Sequence, residues 1–113
     1  MAKVSISEDL KDEILKKFKE ESKIIFRQMY ALEQSPHKGK FLANIGGIVI
    51  KEIRYKSFRF YFITDGYRLN VMDDKKLFDL LIKFIAMSDK KEQQKVIEQI
   101  KDFLRNFGKR ALD

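Results

Sequence analysis

The chain has 113 residues, of which 44% are hydrophobic, and a formal net charge of +7 at pH 7. That apolar fraction excludes a disordered tail and suits one domain spanning residues 1–113, while the absence of Cys and the single His exclude a disulfide framework and a two-His metal site. No apolar run approaches the roughly 18 residues of a membrane span, and residues 1–5 lack the apolar core of a secretory signal, so we expect a cytoplasmic protein without a membrane partner.

The first predicted element is a long helix over about residues 8–33. Leu10, Ile14 and Phe18 recur every four residues, which is typical of a helix with one apolar stripe. Ser7 is the expected N-cap. The polar residues 20–23 interrupt the stripe, so the alternative is a break into two helices that form a hairpin.

The middle of the chain predicts a β-meander after a loop at residues 37–47. Residues 48–55 and 58–63 are the first two predicted strands, joined at Lys56 and Ser57. A third strand at residues 67–72 should follow Asp65-Gly66, which is a strong signal for a two-residue hairpin turn. The register set by the two turns pairs Arg54 with Arg59, Glu52 with Tyr61, Ile53 with Phe60, Phe62 with Leu69, Phe60 with Val71 and Ile63 with Arg68.

Strand alternation then sorts the side chains onto two faces. One face is apolar and holds Ile53, Tyr55, Phe58, Phe60, Phe62, Leu69 and Val71. The other is polar and cationic, and it holds Glu52, Arg54, Arg59, Tyr61, Ile63, Arg68 and Asn70. We expect the cationic face to be exposed, so that Arg59→Ala changes stability by no more than about 0.5 kcal/mol. The alternatives are that Glu52 and solvent screen the arginine pair, or that the C-terminal half of the chain packs over this face.

The C-terminal third is less uniform. Residues 73–80 are predicted as a short helix, and residues 81–87 either extend it or form a fourth strand, which we favour. A last amphipathic helix is expected over about residues 90–107, with Asp89 as its N-cap and Gly108 after its end. The predicted fold is α+β, with an N-terminal helix or helical hairpin, a central antiparallel meander of three to four strands and a C-terminal amphipathic helix.

The cationic face is the candidate functional site. Like charges directly opposed across strands destabilise a sheet, so Arg54 opposite Arg59 favours an anionic ligand, and Arg grips phosphate in two places. Tyr61 on the same face is placed to stack on a base. The candidate catalytic residues are Arg54, Arg59 and Tyr61. The candidate nucleic-acid-binding residues are Arg54, Arg59, Arg68, Lys56 and Lys90, and no metal or cofactor is expected.

Residues 47–54 (GIVIKEIR), residues 58–63 (FRFYFI) and Asp65-Gly66 together resemble the RelE/ParE toxin superfamily, especially its phage-derived, HigB-like members. The resemblance covers about residues 10–91 and is tightest at residues 47–66. It implies a RelE-like fold, mRNA cleavage on the ribosome or gyrase inhibition, and a cognate antitoxin that wraps the toxin. Arg54 matches the family's strand-end Arg, and Arg59 matches the Arg that contacts the scissile phosphate in nuclease members.

The chain also departs from the family pattern. Ile50 and Glu52 stand where active RelE-like enzymes carry lysines, and Ala86 and Met87 stand where these enzymes often carry a basic residue. Tyr67 is the last Tyr, whereas some members use a C-terminal Tyr as base. The departures leave nuclease activity open. An active enzyme would be a metal-independent endoribonuclease.

Two functions therefore follow as hypotheses. The first is a RelE-like toxin of a toxin–antitoxin system that binds mRNA or the ribosome. The second is a non-catalytic RelE-fold interaction module that binds an acidic protein partner. The basic charge of the chain supports a polyanionic partner in either case.

Overall fold

The computed structural model describes residues 2–71 and 79–113 and is of the α+β class. The strands are β1 (Ala2–Ile6), β2 (Lys40–Ile45), β3 (Ile48–Tyr55), β4 (Phe58–Asp65) and β5 (Leu80–Asp89). The helices are α1 (Glu8–Phe18), α2 (Ser22–Tyr30), α3 (Gly66–Val71) and α4 (Gln93–Phe107), and short 3₁₀ turns occupy Lys19–Glu21, Ala31–Glu33 and Gly108–Leu112.

The five strands form one mixed sheet in the order β1-β5-β4-β3-β2. The pairs β2–β3, β3–β4 and β4–β5 are antiparallel, as expected of a meander, whereas β1 lies parallel to β5. The sheet therefore has five strands rather than the predicted three to four. The register of the β3–β4 hairpin is confirmed, because Arg54 lies opposite Arg59, Glu52 opposite Tyr61 and Ile53 opposite Phe60.

Helices cover both faces of the sheet. The amphipathic helices α1 and α2 bury Leu10, Ile14, Phe18, Ile25 and Met29 in one core, together with Phe60, Phe62 and Phe84 from the sheet. On the other face, α4 packs Ile97, Ile100 and Leu104 onto Ile48, Ile50, Tyr61 and Ile63. The molecule is thus a sheet between two helical layers, which leaves the central strand without an exposed face.

The N-terminal region differs from the prediction in two ways. Residues 2–6 form the edge strand β1, whose side chains alternate between buried and exposed, and the sequence analysis did not expect this strand. The region predicted as one long helix contains two helices, which confirms the alternative of a break near residues 20–23. Lys19, at the end of α1, has a φ of 50°, which a continuous helix does not allow. The expected N-cap is confirmed, since the Ser7 hydroxyl accepts a hydrogen bond from the Leu10 amide.

The second predicted hairpin is wrong. Gly66 starts the short helix α3, so the pairings predicted for residues 67–71 do not form, and β4 pairs with β5 instead. A type I′ turn needs positive φ at both central residues, whereas Gly66 is not among the glycines with positive φ. Its amide donates to the Gly47 carbonyl at 2.8 Å, and the Asp65 carboxylate accepts from the Arg68 amide as a helix cap does.

The remaining predictions divide as follows. The predicted loop at residues 37–47 contains β2, which was missed. The favoured strand at residues 81–87 is confirmed as part of β5. The helix predicted at residues 73–80 lies outside the described residues except at its end, where Asp79 is not helical and Leu80 begins β5. The last helix is confirmed over Gln93–Phe107, and the Asp89 carboxylate accepts from the Glu92 amide before it.

Phe60 tests the layered core. Its side chain is 0% exposed, so Phe60→Ala should lower the free energy of unfolding by about 3–5 kcal/mol through lost contacts and a cavity. Phe41→Ala is the control of identical chemistry, because Phe41 is 59% exposed and should change stability by no more than about 0.5 kcal/mol. Urea denaturation followed by circular dichroism measures both. Equal losses would contradict the layer assignment.

Candidate functional site

The two arginines of the β3–β4 hairpin lie beside a glutamate on the same face. Arg54 and Arg59 are direct cross-strand partners, and Glu52 precedes Arg54 by two residues on β3, so all three side chains share one side of the sheet. Arg54 Nη2 lies 3.9 Å from Glu52 Oε1, and Arg59 Nε lies 3.6 Å from Glu52 Oε2. Glu52 therefore supplies the negative charge beside the two arginines, the role that was expected of an anionic ligand.

The Glu52–Arg59 pair is withdrawn from water. The Glu52 side chain is 1% exposed and that of Arg59 is 7%, whereas that of Arg54 is 52% exposed. Within the described part of the chain, neither Glu52 carboxylate oxygen nor Arg59 Nε has a hydrogen-bond partner. Arg59 Nη1 donates to the Ser57 carbonyl at 3.3 Å. The pair thus relies on charge attraction at low dielectric to offset the desolvation of two ions.

Tyr61 lies next to this pair and is fully buried. Its hydroxyl shares a 2.8 Å hydrogen bond with Ser88 Oγ on β5. Burial raises the pKa of the Tyr61 hydroxyl above its usual value, and the negative charge of Glu52 acts in the same direction, against the opposing effect of the Ser88 hydrogen bond. The hydroxyl therefore keeps its proton near neutral pH, where a general base would have to release it.

The expectation of an exposed cationic face is wrong. Arg59 and Tyr61 are buried because Ile48, Ile50 and Ile63 make an apolar surface on that side of the sheet, and α4 docks onto it. Strand alternation assigns side chains to a face but does not say whether another element covers that face. The structure agrees with the alternative, in which the C-terminal half of the chain covers this face.

Three of the predicted binding residues remain at the exposed end of the sheet where β3 turns into β4. We call Arg54, Lys56 and Lys90 the hairpin end; all three are exposed. Lys56 lies in the turn with a φ of 55°, and Lys90 follows Asp89, which pairs with Phe58. Strands are spaced by about 4.8 Å, so β3 and β5, which flank β4, are separated by roughly 10 Å at this end of the sheet.

One residue of the hairpin end already has an acidic neighbour. Lys56 Nζ donates a hydrogen bond to the Glu21 carboxylate after α1. That bond raises the pKa of Lys56 and lowers the pKa of Glu21, so both groups are charged at neutral pH. A polyanion that binds Lys56 would compete with Glu21 for it, and exposed pairs of this kind are weak.

Arg68 is not part of this cluster. It lies on α3, beyond Asp65, which pairs with Ile48 at the opposite end of the hairpin. Six residues of strand separate Ile48 from Arg54, a distance of about 20 Å. Arg68 Nη1 donates to the Asp79 carbonyl at 2.9 Å.

Three buried polar residues of the sheet were not predicted from the sequence: Lys51, Thr64 and Ser88. Ser88, the partner of Tyr61, fell in a segment of uncertain type. Lys51 is only 6% exposed, lies opposite Phe62 on the α1–α2 side, and donates to the His37 carbonyl at 2.8 Å. Burial lowers the pKa of Lys51. In the sequence, Lys51 lies between Ile50 and Glu52 and shares its strand face with Val49 and Ile53. This pattern does not distinguish a buried side chain from an exposed one.

Comparison with protein-family models, with curated proteins and with solved structures gives no match to this chain. Across residues 2–71 and 79–113, no three acidic or His side chains come together in a group suited to a metal ion. The helices of the same residues include none with the length and hydrophobicity needed to cross a membrane.

Arg59 tests the buried ion pair. Arg59→Ala should lower the free energy of unfolding by about 3 kcal/mol, the lower end of the range for a broken buried pair, because Arg54 still screens Glu52. Adding Glu52→Gln should recover part of that loss, since it removes the uncompensated charge. Urea denaturation of the two single variants and the double variant gives the coupling energy. A loss below about 0.5 kcal/mol for Arg59→Ala would show that the pair is exposed in solution.

The raised pKa of Tyr61 predicts a loss of stability at alkaline pH. The unfolded chain releases this proton near pH 10, more readily than the folded protein, so the contribution of the hydroxyl is complete below about pH 10 and is lost as pH rises through the folded-state pKa. The stability difference between the wild type and Tyr61→Phe should therefore shrink above about pH 10. Urea titrations across that range measure it. Tyr67→Phe, at a site 74% exposed, should show a constant difference.

Proposed function

We propose that this protein is a RelE-like, cytoplasmic RNA- or ribosome-binding protein of the toxin–antitoxin type, and that the hairpin end contacts phosphate. The observation that carries the proposal is that Arg54, Lys56 and Lys90 are exposed together at one end of the sheet. The chain has a net charge of +7, which attracts a polyanion from a distance, and three neighbouring cations then supply local contacts.

The fold supports the RelE-like part of the proposal. A helical hairpin precedes an antiparallel meander, and the β3–β4 hairpin contains most of the stretch on which the resemblance is tightest. The register of that hairpin pairs Arg54 with Arg59, the two arginines that match the family pattern.

Binding rather than cleavage is proposed for the folded state. Cleavage through the 2′-hydroxyl of RNA needs cations at the phosphate and groups that move protons. Arg59 and Tyr61 would supply these, but both are buried, and Tyr61 packs in the core beneath α4. An mRNA interferase step at these residues would require α4 to leave the sheet.

A second candidate is the non-catalytic module that binds an acidic protein. It is favoured by the Glu52 carboxylate, which already neutralises the arginine pair that a nuclease would direct at phosphate. A neighbouring gene for a small protein with a DNA-binding motif would favour the toxin–antitoxin assignment, because that protein would be the expected antitoxin.

RNA binding by the hairpin end can be measured directly. A fluorescently labelled single-stranded RNA is titrated with the protein at several salt concentrations, and affinity is read from anisotropy. Each phosphate contact adds about 0.7 to the salt slope for a single strand, so replacing Arg54, Lys56 and Lys90 together by Ala should reduce the slope by about 2. Stability should fall by no more than about 1 kcal/mol, because Arg59 still pairs with Glu52 and the pair of Lys56 with Glu21 is exposed.

Arg105→Ala is the matched control, because it also removes an exposed cation held by one carboxylate, that of Asp102, but it lies on α4. This variant removes one cation where the hairpin-end variant removes three, so a slope reduction of about 0.7, the same per cation, would mean that net charge alone drives binding. Binding of polyglutamate but not RNA would favour the acidic-partner module. Overexpression separates the remaining cases: growth arrest with degraded mRNA indicates an interferase, and normal growth with intact mRNA at high expression leaves the interaction module.

A further inference from the structure

Half of β5 has a strand on one side only. β5 is ten residues long, and β1 pairs with it over residues 80–84, ending at Ile6 opposite Phe84. The Ser7 amide then donates to the Phe84 carbonyl, and α1 turns away. Among the described residues, no strand pairs with the outer edge of residues 85–89. Their backbone groups on that side are therefore available to another main chain.

This open edge forms the floor of a groove between α1 and α4. One cleft, of about 310 Å³, is lined by Glu13 and Lys17 of α1, by Ser88 and Asp89 of β5, and by residues of the α4 side. A second cleft, of about 380 Å³, is lined by Ser7, Lys83, Ile85, Ala86, Val96, Gln99, Ile100 and Phe103. Val96 and Gln99 line both clefts, so the two are neighbouring parts of one groove.

A β-bulge shapes the second cleft. The pairing of β4 with β5 shifts between Tyr61 and Phe62, which face Ala86 and Phe84, so Ile85 is the extra residue. Ile85 and Ala86 consequently both pack with the core on the α4 side. Together with Phe103, which is 36% exposed, they give the groove an apolar pocket beside the open edge. Regular strand geometry resumes at residues 86–89, a length of about 13 Å.

The two clefts differ in charge. Three carboxylates line the first cleft, those of Glu13, Asp89 and Glu92, against the two ammonium groups of Lys17 and Lys95. Lys17 Nζ is directed at the ring of Phe58, 4.9 Å from its centroid. In a chain of net charge +7, this end of the groove thus has a small excess of negative charge. It suits a basic side chain, whereas the other end suits an apolar one.

We propose that this groove binds an extended peptide segment of a partner protein by strand addition to residues 86–89 of β5. The main chain of the peptide pairs with the open edge. One apolar side chain enters the cleft formed by Ile85, Ile100 and Phe103, and a basic side chain lies at the Asp89 end. Main-chain pairing supplies affinity and the flanking pockets supply selectivity, as in other cases of strand addition. The Asp89 end of this groove adjoins Lys90 of the hairpin end, but the proposal does not depend on RNA binding.

The test begins with random heptapeptides displayed on phage and selected on the full-length protein. Peptides that combine an apolar and a basic residue should be enriched. A synthetic copy of the strongest binder should slow amide exchange at Met87 or Asp89 in NMR spectra, because these residues alternate with Ala86 and Ser88, whose amides point towards β4. The same peptide with alternate amides N-methylated should lose binding by at least about tenfold, because it cannot complete the ladder.

Phe103→Ala should weaken the peptide by about tenfold, since its ring lines the apolar cleft. Phe107→Ala is the matched control: its ring packs at a tilt against Phe103, with the centroids 5.0 Å apart, and is exposed, but it does not line that cleft, so affinity should be unchanged. The proposal is overturned if no peptide is enriched, if amide protection lies away from residues 85–89, if N-methylation has no effect, or if both variants weaken binding equally.

Discussion

The central strand β4 is buried on both faces, and this constraint decides where the polar groups of the sheet can lie. Residues 59–64 of β4 are all buried, with α1 and α2 on one side and α4 on the other. Polar groups on such a strand must find partners inside the protein. Tyr61 bonds to Ser88, the Thr64 hydroxyl donates to the Leu81 carbonyl at 2.7 Å, and Arg59 faces Glu52.

The Glu52–Arg59 pair follows from that constraint, and it changes what the arginines can do. A buried ion pair is weak evidence of stability, because desolvation of the two ions can cancel their attraction. Once both ions are buried, however, each needs the other to neutralise its charge, and neither is available to a ligand. Of the predicted binding residues close to this pair, those that stay exposed to a polyanion are Arg54, Lys56 and Lys90 at the hairpin end.

Local signals in the sequence predicted only part of this arrangement. The Lys56-Ser57 turn and strand alternation gave the correct register for β3 and β4, because both depend on neighbouring residues. Asp65-Gly66 misled because Asp caps helices as readily as it begins hairpins. The conformation at this position is determined by contacts with residues distant in the sequence. A Cβ on Gly66 would lie 2.8 Å from Val49 Cγ2 and 3.0 Å from the Gly47 carbonyl, so glycine is needed for close packing.

The same division between local and distant information applies to the candidate site. Alternation placed Arg54, Arg59 and Tyr61 on one face, as the structure does. The burial of Arg59 and Tyr61 depends on α4, more than thirty residues further along the chain, and β1 depends on a partner strand almost eighty residues away. The apolar stripe of α4 and the short alternation of β1 are the periodic patterns in the sequence that relate to these contacts.

A local signal nevertheless fixes where the sheet is left open. Ser7 caps α1, and this cap ends β1 opposite Phe84 although β5 continues for five more residues. α4 covers the face of the sheet but does not pair with its edge. The groove therefore results from a mismatch in strand length that one capping residue sets. An open strand edge can pair with another main chain. Here the edge lies between two helices, so only a narrow, extended chain can reach it.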